Sequence, residues 1–334
     1  MRIRMIPFVL AGGLVAANAS AQHVIVRDAV RHAPPSTYQG RNRGPEQTEQ
    51  FSRRIKVGRD GRVSVGNIAG DITVTGGSGD EVSIEAVKRT RGNRGELATV
   101  QINVDDRAGR VDVRTEHTGQ NDHVSVDFTI SVPASAAIEL HSISGSLKVS
   151  NVQGAVRMET VSGNVTTSAS PHVEVAKSVS GDVDLTGTSV DGDLSAGSIS
   201  GHIHARGVKA RGLQLGTVSG DVIVSDVTCE RLDAKSVSGN LEVSGALAKS
   251  GRYNLTSHSG NVRLILSGST GFELNASSFS GTIRSDLPVT LGPTSARNER
   301  RGPGPGRATR GVFGDGSALV TIRTFSGDIV IAKR

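Results

Sequence analysis

A five-residue unit, apolar-Ser-Gly-polar-apolar, recurs along this chain at a nearly fixed interval. It reads Ile143-Ser-Gly-Ser-Leu147, Val161-Ser-Gly-Asn-Val165, Val179-Ser-Gly-Asp-Val183, Ile199-Ser-Gly-His-Ile203, Val218-Ser-Gly-Asp-Val222 and Val237-Ser-Gly-Asn-Leu241. Looser copies stand at His258 to Val262, Phe279 to Ile283 and Phe325 to Ile329, and an early one at Ile68 to Ile72. From Gly145 to Gly281 the glycines are spaced 18, 18, 20, 19, 19, 21 and 21 residues apart. A period of about 20 residues is that of a solenoid, in which each coil contacts only its neighbours.

Two residues after each of the ten glycines the side chain is apolar, and the flanking positions are mostly polar, as in Asp182-Val183-Asp184-Leu185. Such alternation marks a half-buried strand. Seven and five residues before the glycine a second strand shows in pairs such as Ile138/Leu140, Val156/Met158, Leu213/Leu215 and Val320/Ile322. One coil breaks step: ahead of Gly181 the matching residues are Glu174 and Ala176, and Val173 with Val175 turn inward only after a one-residue shift, which predicts a bulge. The fold expected is an all-β, β-helix-like solenoid of about 20-residue coils with at least two short strands each, turned at Ser-Gly where a residue without Cβ is favoured. Stacked coils should align Val165, Val183, Ile203, Val222 and Leu241 in one inward column. Each buried Val or Leu contributes roughly 1.5–3 kcal/mol gross, so stability must accumulate over many coils.

Composition fits that design: 42 glycines among 334 residues, no tryptophan and 3% aromatics leave no material for a core of large rings. Residues 51–140 repeat less clearly but alternate in Val63-Ser-Val65, Val111-Asp-Val113 and Val124 through Val132 before Pro133, and read as the same array or an N-terminal cap. Residues 141–334 form the Ser-Gly array. Within it the Arg-, Pro- and Gly-rich stretch 293–311 reads as an exposed insertion ahead of the last coil, and 22–50 as a flexible lead-in.

Arg2 and Arg4, the apolar run Met5 to Ala17 and Ala19-Ser20-Ala21 match a signal peptide, residues 1–21, with cleavage before Gln22. The apolar run is too short to span a bilayer, so the mature chain is expected without a transmembrane anchor, in the periplasm or at the cell surface. The net charge of +6 is spread among interspersed acids and bases with few rings for base stacking, which argues against a nucleic-acid partner. Cys229 is the single cysteine and is expected to be an inert thiol.

The order of leader, irregular strands ending at Val132-Pro133, tandem Ser-Gly-Asp/Asn coils and a final Phe325-Ser-Gly-Asp-Ile-Val-Ile331 resembles the bacterial putative-adhesin family of β-strand-repeat proteins, a domain of unknown function. The resemblance implies a β-solenoid of the cell envelope, a link to adhesion or envelope stress, and no catalytic residues.

No His-Glu-x-x-His, Gly-x-Ser-x-Gly or phosphate-loop motif is present, and no cofactor is expected. The stretch Gly76 to Glu81 has one calcium-repeat-like glycine cluster without a tandem copy and reads as a turn. The residues after the glycines make a column of Asn164, Asp182, His202, Asp221, Asn240 and Asn261, suited to bracing turns. Where Asp182 and Asp184, His202 and His204, and Asp221 meet on successive coils, carboxylates and imidazoles could hold zinc or copper. The functional expectation is a non-enzymatic scaffold or adhesion module with an envelope protein or glycan as partner. The alternative is a polysaccharide-active enzyme with a carboxylate groove, or a metal-binding envelope protein.

Overall fold

The computed structural model describes residues 45–119, 123–291 and 307–334. The expected leader at 1–21, its expected cleavage site and residues 22–44 of the expected lead-in lie outside the described residues. The first strand, Gln47–Lys56, starts inside the segment read as lead-in.

The protein is all-β. Its 26 strands are relieved, among the described residues, by a single 3-10 turn at Arg94–Thr99. That turn is fixed by a reciprocal cap: the Gly95 amide donates to Asn93 Oδ1 and the Asn93 amide to Glu96 Oε1, both at 3.1 Å.

Each rung of the array has a leading strand, a Ser-Gly corner and a trailing strand. In one rung Val156–Ser162 leads and Val165–Ser168 trails. Leading strands pair in parallel with leading strands, and trailing with trailing, so that Val165, Val183, Ile203, Val222 and Leu241 lie opposite one another in unbroken register. All five are fully buried. The residues seven and five positions before the glycines line the other wall of the same core, from Ile138 and Leu140 to Val320 and Ile322. The expected bulge lies where Val156 pairs with Val173 but Arg157 pairs with Val175. Val173 and Ala176 point inward while Val175 is only half-buried, so the extra residue is absorbed and Ala176 keeps its place against Met158.

Stacking, more than the turn itself, demands glycine at the corner. A Cβ on Gly220 would lie 2.2 Å from the carbonyl oxygen of Gly201 one rung below, and one on Gly163 would lie 2.2 Å from that of Gly145. Those carbonyls also accept hydrogen bonds from side chains. From Thr160 on, a buried hydroxyl three residues before the glycine points inward and donates to the glycine carbonyl of the adjacent rung, as in Thr160 to Gly145 (3.1 Å), Ser178 to Gly163 (2.8 Å), Thr217 to Gly201 (3.0 Å) and Ser257 to Gly239 (3.1 Å), whereas the buried Ser142 hydroxyl has no such partner. A polar residue is thus admitted to the core because its partner is supplied by the neighbouring coil.

At the ends, chain order and spatial order part. The last coil in sequence, Ala318–Ser326 with Ile329–Lys333, lies between the coil of Arg252–Ser259 and the coil of Phe272–Ser280. The Phe325 coil is thus last in sequence but not outermost in space. Of the stretch 293–311, residues 293–306 lie outside the described residues. The rest belongs to the strand Arg307–Phe313, which pairs antiparallel with the outermost leading strand Phe272–Ser280. The long connection lets the chain step back one rung, and its strand covers hydrogen-bonding groups that an outermost parallel strand would leave open. The other end repeats the device. Arg62–Ala69 and Ile72–Gly77 sit between the next rung inward and the coil of Arg110–His117 and Ser125–Pro133. Val100–Arg107 and Glu81–Thr90 then cover that outer coil antiparallel.

Candidate functional site

The residue after each glycine is held in a side-chain ladder along one corner of the array. The Asp182 amide donates to Asn164 Oδ1 (2.9 Å), the His202 amide to Asp182 Oδ1 (2.7 Å), the Asp221 amide to His202 Nδ1 (3.0 Å) and the Asn240 amide to Asp221 Oδ1 (2.7 Å). The ladder continues through Asn261 and Asp328 to the Thr282 amide, following spatial rather than sequence order. It also runs back through Ser146 and Asp71 to Asp127. Every rung needs only an acceptor of the right reach, which Asn, Asp, His and Ser all supply.

This ladder accounts for most of the residues named as metal ligands. Asp182 and Asp221 turn a carboxylate oxygen, and His202 a ring nitrogen, to the backbone of the next rung. On the trailing strands His204 Nδ1 meets Asp184 Oδ1 at 3.0 Å, and the His202 and His204 rings lie parallel with centroids 6.2 Å apart. Among the described residues no group of three or more His, Cys, Asp or Glu side chains is placed to hold a metal ion. The five residues share one face but do not converge on a point. The Gly76 to Glu81 stretch is a strand end and turn, with the Asp80 carbonyl accepting from the Val57 and Gly58 amides and its carboxylate 3.1 Å from Lys56 Nζ. Cys229 is buried, and desolvation pushes its thiol up to about 11.

A different column is the more distinctive surface. Two residues before each glycine, nine successive rungs carry Ile143, Val161, Val179, Ile199, Val218, Val237, His258, Phe325 and Phe279, in spatial order. All nine are exposed, and Ile143 (55%), Ile199 (50%) and Phe325 (48%) are half bare. At one end the rings of His258, Phe325 and Phe279 stack, with centroid distances of 5.0 and 4.6 Å. Beside the aliphatic stretch the outer face dips into a shallow trough of about 510 Å³, bordered by Val161, Val179 and Ile199 and floored where Gly197 and Gly216 carry no side chain. Single exposed apolar residues are ordinary, but a contiguous run of this length marks an interaction surface.

The repeat unit itself contains these residues, yet the apolar position before Ser-Gly carries no assignment in the strand alternation read from the sequence. Parity gives the missing signal. Positions seven and five before the glycine point inward, so position three does too, and position two must point out.

No curated protein matches the chain. Solved structures similar to it include a putative adhesin from Bacteroides fragilis (13% identity, 85% of this chain and 97% of that one, TM-score 0.45). A putative lipid binding protein from Parabacteroides distasonis (11%, 84% and 96%, TM-score 0.46) and a putative cell adhesion protein from Clostridium sporogenes (11%, 86% and 100%, TM-score 0.25) are also similar. The Toastrack DUF4097 model matches residues 154–332, more than half of the chain and nearly all of the Ser-Gly array. On the strength of that match, which agrees with the resemblance carried by the repeat, the chain belongs to the Toastrack DUF4097 family.

Proposed function

We propose that this protein is an exported, non-enzymatic scaffold of the bacterial cell envelope, built of coils of about 20 residues, whose outward apolar column docks a protein partner. The observation that carries this reading is the nine-rung column: the leading strands bury most of their other large apolar residues but leave this line bare on rung after rung, Leu319 being an isolated further exception. Aliphatic side chains at regular intervals suit a protein surface better than a sugar, which is usually held by rings and carboxylates. The leader-like residues 1–21 support export, and no helix among the described residues is long and apolar enough to cross a membrane. The uniform corner ladder, in which acids and histidines brace backbone amides, supports a structural rather than a catalytic use of those groups.

Cell fractionation combined with a retention assay tests the reading. Protein recovered from its native host should sit outside the cytoplasm and begin at Gln22. It should be held by immobilised envelope proteins, and the Ile199→Lys and Val218→Lys variants should lose that retention while melting like the parent. A full-length cytosolic chain, or retention indifferent to both substitutions, would overturn it.

A further inference from the structure

We infer that the apolar column pairs with the same column of a second copy of this chain, the two arrays running antiparallel about a twofold axis at Val218. The inference rests on the reading of that column as a docking surface and names its occupant. A row of side chains repeating once per rung is met at every step only by a surface with the same repeat, which another array of this kind has by construction. Size fits as well. Nine rungs at ~4.8 Å extend ~38 Å, and the outward positions span ~20 Å along the strands, so the strip covers ~770 Å². A standard specific interface buries about 800 Å² per partner.

Charge selects the direction and the register. Four residues before each glycine, beside the apolar column, the outward positions of the second to eighth rungs are Glu159, Lys177, Gly197, Gly216, Lys235, Thr256 and Arg323. In parallel copies the twofold axis would run along the apolar column and carry these side chains to its opposite flanks, so Glu159 and Arg323 could not meet. Antiparallel copies centred on Val218 set Glu159 against Arg323, Lys177 against Thr256 and Lys235 against bare Gly197, with no like charges meeting. Sliding by one rung either way puts Lys177 opposite Arg323 or opposite Lys235. The same centring sets the aromatic end, Phe325 and Phe279, against Val161 and Ile143, and brings Gly216 to the axis where the two faces must approach most closely.

Sedimentation of the purified protein between about 1 and about 100 µM should show a dimer whose dissociation constant rises by roughly tenfold or more in Val218→Lys. Glu159→Arg should weaken it, and Glu159→Arg combined with Arg323→Glu should restore it. On mild oxidation Val218→Cys should link two chains, Cys229 being buried, while Ile143→Cys should not, because Phe279 faces it. A monomer throughout that range, a dimer indifferent to Val218→Lys, or linkage through Ile143→Cys would overturn the pairing. If the protein is monomeric yet Val218→Lys still abolishes retention on envelope proteins, self-pairing falls and the docking surface stands. If neither association nor retention responds, both fall.

Discussion

The middle of this molecule and its two ends solve the same problem differently. From Leu147 to Leu266 each trailing strand is flanked by copies of itself, chain order is spatial order, and core, hydroxyl and corner residues repeat with little change. At either end there is no further rung to pair with, and there the chain folds back, slips one coil inside another and lays antiparallel strands on the outermost one. Regular growth needs only local agreement between neighbours. Termination needs segments that do not repeat, because an open parallel strand is a template for further pairing.

The sharpest test of that contrast is one buried charge placed in each region. Val222→Asp, in the middle of the inward column, should lower stability by about 4 kcal/mol or more, since no partner for the carboxylate exists there. Ile283→Asp, at the equivalent position of the outermost rung and only half-buried, should cost about 1 kcal/mol or less. Equal shifts in urea midpoint would erase the distinction between middle and end. Glycine substitutions come next. Gly220→Ala drives a Cβ into the Gly201 carbonyl and should cost about 3 kcal/mol. In Gly109→Ala, in the edge hairpin, the new Cβ meets nothing and only φ +74° opposes it, so about 1 kcal/mol is expected. Thermal melts of the pair decide whether stacking or turn geometry sets the requirement.

Smaller effects probe the core polar groups. Thr217→Val keeps the shape but removes the donor to the Gly201 carbonyl, and should lower stability by about 1 kcal/mol in chemical denaturation. Last is Cys229. Its thiol, normally near 9.0, is raised to about 11 in the folded chain by desolvation. The contribution is therefore fully present below pH 9 and fades as pH rises from about 9 to about 11, because the unfolded chain then ionises first. At pH 8 the native protein should not react with iodoacetamide, and the loss of stability between pH 8 and pH 10.5 should be shallower in Cys229→Ala. Rapid native-state alkylation would show that this part of the core opens readily.

What the sequence discloses follows the same division. The inward column through Val222 and the paired positions Leu213/Leu215 are legible because alternation and period state both the face and the partner. The bulge before Gly181 is legible as a break in that alternation, although Val175 is only half-buried, since one extra residue suffices to restore step at Ala176. Interleaving of the Phe325 coil is not legible: its motif is as good as its neighbours', and nothing local distinguishes an end position from the one beside it. The role of Asp182, His202 and Asp221 is half legible. Proximity on one face follows from register, but whether a side chain reaches outward to a ligand or along the stack to an amide depends on rotamers that spacing does not encode. The bare apolar column was open to reading by parity alone.

The corner ladder also bears on how such a chain can change length over generations. Each rung asks the same three things of its neighbours: an acceptor after the glycine, a hydroxyl three residues before it, and no side chain at the glycine. A duplicated stretch of DNA encoding one coil, say Asp182 through Gly201, would arrive with all three already satisfied on both sides. It would lengthen the array by about 4.8 Å without obliging any other residue to mutate. Nothing comparable holds for the interleaved ends, where an added coil would have to find its place between strands that already close on each other. Variation in length among descendants of this gene should therefore be quantised in whole coils and confined to the interior.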